Sequence, residues 1–376
     1  MIAATQHWAR RNLFRTPFDA TLSLFTIPLA LWLIYSLIHW ATVRANWDVI
    51  PDSLRVLLVG IFPVEMIARP WIATAILCLL SGATLGTLIV SRLRITLPVI
   101  LIALLATLCL GLAGSSALAW IAVCGAAGLI GWQAVSSFRQ VAKALLPLWL
   151  IGLATVAVVL APGGVDHWGG LLLSVLITIV ASIVSVPLGV LLAFGRKSRW
   201  LSLRVCCTAY IEIMRSIPLI LVVYWVWIVM PLLAPEHNVP DVIRGMLGFS
   251  IFYAAYTAEY VRSGLQSVPR GQTEAAQSLG LSGLDSQYYI ILPQALRVVV
   301  PALIGNVLDI FNTVPLIFII GLTDFLRAGQ MILINPQYND RSQEVYVFLL
   351  VTYFIIGSLI TFAARRLEAK LARSSR

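Results

Sequence analysis

The chain has 376 residues, 60% of them hydrophobic and 11% charged, with a mean hydropathy of +0.93. Soluble domains carry about 25% charged residues, so an ordinary water-soluble fold is excluded and the class is all-α, a polytopic helical membrane protein. A β-barrel would alternate apolar and polar residues in short segments, whereas these apolar runs are long and continuous.

The first run, Ala20 to Val43, has no formal charge. It exceeds the roughly 7–15 apolar residues of a signal peptide core and lacks a clear small-residue cleavage site, so it reads as a retained transmembrane helix. A span needs about 20 mostly apolar residues. Ten are expected, near 20–42, 70–91, 95–114, 115–134, 144–161, 168–194, 205–233, 245–265, 298–321 and 345–364. Residues 95–138 hold no charge and exceed one helix, so Gly111, Gly114, Ser115 and Ser116 are expected to form a hairpin. The segment Leu54–Gly60 reads as a helix in the interface plane, either a surface anchor or a partner contact.

The net charge of +10 is a topology signal. With the N-terminus inside, one side receives nineteen of the 26 Lys and Arg residues, among them Arg10, Arg92, Arg139, Arg196, Arg270 and Arg365. Basic residues favour the cytoplasmic side. Both termini are therefore expected in the cytoplasm, and nucleic-acid binding is not expected. Residues 1–161 form an extension of about five spans with few polar groups. Residues 162–376 hold the Pro and Gly breaks, the intramembrane charges and the one long polar loop.

That loop, EAAQSLGLSGLDSQYYIILPQALR at 274–297, falls on the cytoplasmic side. Val268-Pro269-Arg270-Gly271 breaks the preceding helix. Glu274-Ala275-Ala276-Gln277 are good helix formers with an acid in the first turn. Ala275 and Leu279 share one face, and Ala276 and Gly280 another. Gly280 suits a left-handed helix stop. A short helix with small residues and an acidic end reads as a docking element or as an amphipathic connector.

The pattern Glu274-Ala275-Ala276, then Gly280, then Ile290-x-Leu292-Pro293 resembles the EAA loop of binding-protein-dependent ABC importer permeases. Ala255–Gln272, Tyr210–Leu219 and Trp168–Ser174 are similar to the polar amino acid subfamily, and the resemblance covers about residues 165–370. Arg11–Ala20 with the long pre-core region resembles one permease of general L-amino acid importers. The resemblance implies a five-helix permease core near 168–364 in a bacterial inner membrane. It implies four kinds of partner: a dimer of ATP-binding cassette subunits, a second permease of different sequence, a periplasmic amino-acid-binding protein, and the membrane. Glu274, Ala275, Ala276, Gly280, Leu292 and Pro293 would couple to the ATPase. ATP and Mg would sit on that subunit, and this chain would bind no cofactor.

The sequence contains no G-x4-GK-[ST] phosphate loop, and Gly195-Arg196-Lys197-Ser198 lacks its spacing. The four histidines and five cysteines have no metal-ligand spacing, and no catalytic set appears, so the chain reads as a transport subunit and not an enzyme. Asp309 lies one turn from Asn306 and close to Asn312 and Thr313, ahead of Pro315. It reads as a partner for an amino acid's ammonium group or as a carboxylate satisfied by a neighbouring helix. Glu212 with Arg215, and Glu259 with Arg262, have the i,i+3 spacing of ion pairs; Glu259 and Arg262 read as structural pairing or as gating and substrate contact. The rival reading, an ion-gradient-driven secondary transporter of small solutes, expects repeats and paired broken helices without a docking loop.

Overall fold

The computed structural model describes residue 13 and residues 15–88, 117–137, 139–233, 235–236 and 238–374. The expected span at 95–114 and its hairpin lie outside the described residues. The chain divides into two compact units, residues 1–49 and 50–376. In the first unit, α1 (Pro17–His39) starts on a reciprocal cap. Thr16 Oγ1 accepts the Asp19 N–H at 3.1 Å and Asp19 Oδ2 accepts the Thr16 N–H at 3.2 Å. Such a capping box satisfies two donors that a bare helix start leaves unpaired.

The second unit begins inside α2 (Val49–Val59), at residue 50, and continues with α3 (Ala68–Leu88), α4 (Ala117–Ser137) and α5 (Leu145–Leu160). α3 and α4 cross on glycine. A Cβ on Gly82 would lie 1.9 Å from the Gly128 carbonyl oxygen, and one on Gly131 equally close to that of Leu79. Lipid chains are as apolar as leucine, so membrane helices gain from such close backbone packing. Trp149 on α5 donates to Thr84 Oγ1 on α3 at 2.9 Å.

The remaining elements are α6 (Gly170–Gly195), α7 (Leu201–Ser216), α8 (Leu219–Leu233) and α9 (Asp241–Ser267). They continue with α10 (Arg270–Ser278), α11 (Leu292–Thr313), α12 (Phe325–Ile332) and α13 (Ser342–Ser374). Seven helices among the described residues are long and apolar enough to cross a membrane, or eight if α7 and α8 count as one. α9, at 27 residues, is not among those seven.

Two expectations change. The span at 205–233 is broken, since α7 and α8 meet at 115°. Pro218 lacks an N–H and disfavours a helical conformation at the residue before it; Ile217 is accordingly extended, with ψ 139°. The boundary expected at residue 161 does not separate compact units. Phe62, Leu77, Val156 and Leu160 from the extension share one buried core with Leu173 and Ile177 of α6, Phe249 and Tyr253 of α9, and Ile310 of α11. The last helix returns to the extension, where Lys370 Nζ donates to the Thr87 carbonyl at 3.1 Å.

Candidate coupling loop and intramembrane polar cluster

α9 ends at the extended Val268 and Pro269, and α10 starts at once. α10 stops as Gly280 takes φ 76°. Leu281 N–H then reaches the Ala276 carbonyl at 3.1 Å and Gly280 N–H that of Gln277 at 2.9 Å. These two bonds form a Schellman stop, which left-handed glycine allows. Ser282 then opens a turn by accepting the Asp285 N–H at 3.2 Å. A π-helical stretch, Ser286–Ile291, leads into α11 with Leu292 half-buried and Pro293 exposed.

Of the coupling residues, Glu274, Ala275 and Gly280 are exposed, and Leu279 beside them is 81% exposed. Ala276 is 3% exposed and faces inward. The free surface of α10 is thus the Glu274, Ala275 and Leu279 side, and Ala276 seats the helix on its own chain.

At the same end of the core, Glu259 of α9 gathers cations from three elements. Arg262 pairs with it within α9, Arg196 from just past α6 approaches at 3.3 Å, and Arg215 of α7 at 3.7 Å. Arg196 also holds Glu212 at 2.9 Å. The Glu259–Arg262 pair therefore forms as its spacing suggests. Glu212 does not pair with Arg215, because Arg196 reaches it first. Gly195 brings the end of α6 against Cys207 of α7, where a Cβ would lie 2.4 Å from the sulfur.

The polar residues of α11 separate onto two sides, one turned to α9 and one to α13. Asp309 Oδ2 accepts the Tyr253 hydroxyl of α9 at 2.9 Å, and that hydroxyl also lies 2.9 Å from Thr313 Oγ1. Asn306 donates to Thr257 of α9 at 3.4 Å. Asn312 instead lines a cavity of about 570 Å³ between α11 and α13, with Leu308, Gly357 and Arg365. Asp309 and Thr313 therefore come together at Tyr253, and Asn306 meets α9 one turn away at Thr257; Asn312 points elsewhere, and Glu259 and Arg262 belong to the ion cluster. Asp309 stays exposed although Tyr253 holds one oxygen. A carboxylate facing lipid would be costly, so this face of α11 suits a polar pathway or a partner. Tyr253, Thr257 and Arg196 were not singled out from the sequence. The spacing of Tyr253, Tyr256, Thr257 and Tyr260 along one side of α9 is the signal that would have found the first two.

Among the described residues no group of His, Cys, Asp and Glu could hold a metal ion. The arrangement is that of a helical membrane component with a rigidly stopped, solvent-facing loop helix and a tyrosine–carboxylate contact inside its core. Residues 185–373 match the family model described as binding-protein-dependent transport system inner membrane component. The glutamate/aspartate import permease protein GltK of Escherichia coli O6:H1 is 33% identical over 52% of this chain and 91% of its own length. The chain belongs to the binding-protein-dependent transport system inner membrane component family.

Other relatives extend the likeness. The inner membrane amino-acid ABC transporter permease protein YhdY of Escherichia coli K12 is 37% identical over 54% of this chain. That match spans 56% of YhdY's length. The glutamate/glutamine/aspartate/asparagine transport system permease protein BztC of Rhodobacter capsulatus is 28% identical over 98% of this chain and 94% of its own. A crystal structure of an amino acid ABC transporter with histidines is 27% identical, covers 54% of this chain and 92% of that one, and has a TM-score of 0.48.

Proposed function

We propose that this chain is a permease subunit of an ATP-driven importer that moves amino acids into the cytoplasm. The observation that carries the proposal is α10, a short exposed helix fixed at both ends between α9 and α11. It lies within the residues matched to the family, and several relatives are named as amino acid permeases. The concentration of Lys and Arg on one side supports cytoplasmic termini and a cytoplasmic α10.

In this reading Glu274, Ala275 and Leu279 meet a separate ATP-binding subunit. Gly280 ends the helix, Ala276 anchors it, and Leu292 and Pro293 join it to α11. ATP and Mg belong to that subunit. Closure of an ATPase dimer pushes α10. The push reaches α9 across Val268-Pro269 and α11 across Ser286–Ile291. It then arrives at two contacts between elements, the Glu259 ion cluster and the Tyr253–Asp309 pair. Rigid-body rearrangement about such contacts would alternate access. The substrate class is polar or general L-amino acids, a soluble binding protein delivers them, and a second permease of different sequence completes the pathway beside Asp309 and Asn312.

The test is reconstitution of the chain with its co-purified subunits in proteoliposomes and measurement of labelled glutamate and glutamine uptake. Uptake should require ATP and the ATPase. Replacing Glu274 and Gly280 with lysine should abolish uptake and co-purification of the ATPase while the chain stays in the membrane. Uptake by the purified chain alone, or full uptake by the double variant, would refute the assignment.

A further inference from the structure

α6 ends at Gly195, and the chain turns at once into α7. Residues 196–211 hold four cations, Arg196, Lys197, Arg199 and Arg204, and no acid. The structure sorts these cations into two kinds. Arg196 is committed to Glu212 and Glu259, at 2.9 and 3.3 Å. Lys197, Arg199 and Arg204 are exposed and form no ion pair among the described residues.

α7 is seated on the core only from Cys207 onward. Cys207 lies against Gly195, the Tyr210 hydroxyl donates to the Ile251 carbonyl of α9 at 2.6 Å, and Ile211 is buried beside Ala258 and Ile291. Before that point the helix stands clear. Every residue from Arg199 to Cys206 is exposed, Trp200 at 74% and Leu201 at 64%. Leu201, Val205, Ala209 and Ile213, spaced four apart on one side of the helix, are exposed together. Apolar and cationic side chains therefore alternate on a free surface directly after a span.

The depth of that surface follows from α6. At about 1.5 Å per residue, its 26 residues exceed a hydrocarbon core of about 30 Å, so its end lies in the headgroup layer. Tryptophan favours that layer. Leucine and valine beside lysine and arginine make up a helix that rests in it. Unpaired cations immediately after a span match anionic headgroups in charge.

We propose that Lys197, Arg199 and Arg204 hold the phosphate groups of anionic phospholipids in the cytoplasmic leaflet, while Trp200, Leu201 and Val205 enter the acyl boundary. The first half of α7 is then a lipid-binding arm. Its other end carries Arg215 of the Glu259 cluster, so lipid and ion cluster share one helix. The inference rests on α6 crossing the membrane and on its end facing the cytoplasm, and is independent of what is transported.

The test uses the whole complex in nanodiscs. It reads labelling of Cys206, exposed on the arm, by a neutral water-soluble maleimide, located by peptide mass spectrometry. Discs of phosphatidylcholine alone should leave Cys206 open. Discs of equal parts phosphatidylcholine and phosphatidylglycerol should slow its labelling, and high salt should undo the slowing. Lys197→Gln, Arg199→Gln and Arg204→Gln should each speed labelling in the anionic discs about fivefold, one cation's share of the attraction to an anionic surface. Arg297→Gln, an exposed cation of α11, should change nothing. Equal labelling in the two lipids, or slowing that none of the three variants relieves, would overturn the inference. So would protection by free glycerol phosphate in phosphatidylcholine discs, or slow labelling in those discs that ends once the co-purified subunits are stripped away. None of these results touches the import reading, which stands or falls on ATP-driven uptake.

Discussion

Asp324 offers a sharp physical test, because its carboxyl is wholly enclosed yet caps a helix as an anion. Burial pushes it from the ordinary 3.8 up to about 6, while the N–H groups of Arg327 and Leu326 pull it back. The folded chain therefore binds this proton more readily than the unfolded chain does. Its contribution to stability is fully present below about pH 3.8, falls as pH rises towards 6, and is lost above that. At 1.36 kcal/mol per pKa unit, the group favours folding at pH 5 over pH 7.5 by about 1.4 kcal/mol. Asp324→Asn keeps an oxygen for one of the two N–H groups, which bond different carboxylate oxygens, and removes the titration. Thermal melts in detergent, taken as wild type minus variant at each pH, cancel the other carboxylates. The difference should shift in favour of the wild type by that amount from pH 7.5 to 5. A difference that stays flat would refute the view that Asp324 is enclosed in the folded chain.

Other consequences follow from the same geometry. Tyr253→Phe removes the donor to Asp309 and should cost about 1–2 kcal/mol in denaturation of the detergent-solubilised chain. Glu259→Gln leaves Arg196, Arg215 and Arg262 without their shared anion and should expose residues 196–200 to protease. Glu212→Gln should do far less, since that partner is 54% exposed and such surface pairs contribute about 0–1 kcal/mol. Gly280→Ala meets no atom within 4 Å, so its cost should be only the left-handed backbone, about 1 kcal/mol. That should appear as about fivefold faster hydrogen exchange at 276–281, with no change in the global melt.

The spans were legible because each needs a run of about 20 apolar residues, which composition alone reveals. The loop helix was legible because its break, first turn and glycine stop are local. What the sequence did not disclose depended on partners far along the chain. The spacing of Glu212 and Arg215 suggested a pair, but it carried no sign that Gly195 would bring Arg196 within reach. Periodicity placed Ala276 and Gly280 on one face of α10 without saying that Ala276 turns inward. The run at 205–233 read as one span, and its apolar length carried no sign of the 115° angle between α7 and α8. Asp309 stood out as an expensive group, yet the hydroxyl that satisfies it comes from Tyr253, 56 residues earlier. α2 looked like an interfacial helix because its burial, at Leu54, Leu57 and Val59, comes from Gly60 meeting Gly169 ahead of α6.

The two bonds that join the extension to the end of the chain bear on the order of synthesis. Tyr338 to Asp52 spans 286 residues and Lys370 to Thr87 spans 283. A nascent chain emerges N-terminus first, at about 5–20 residues per second. Asp52 and Thr87 must therefore wait many seconds for these two partners, although α4, α5 and the start of α6 reach their helices sooner. Neither contact can guide early insertion; both act as closing steps that register completion. A ribosome that stops short of residue 338 would release a chain in which neither bond can form, with α2 and α3 held only by the elements that precede it.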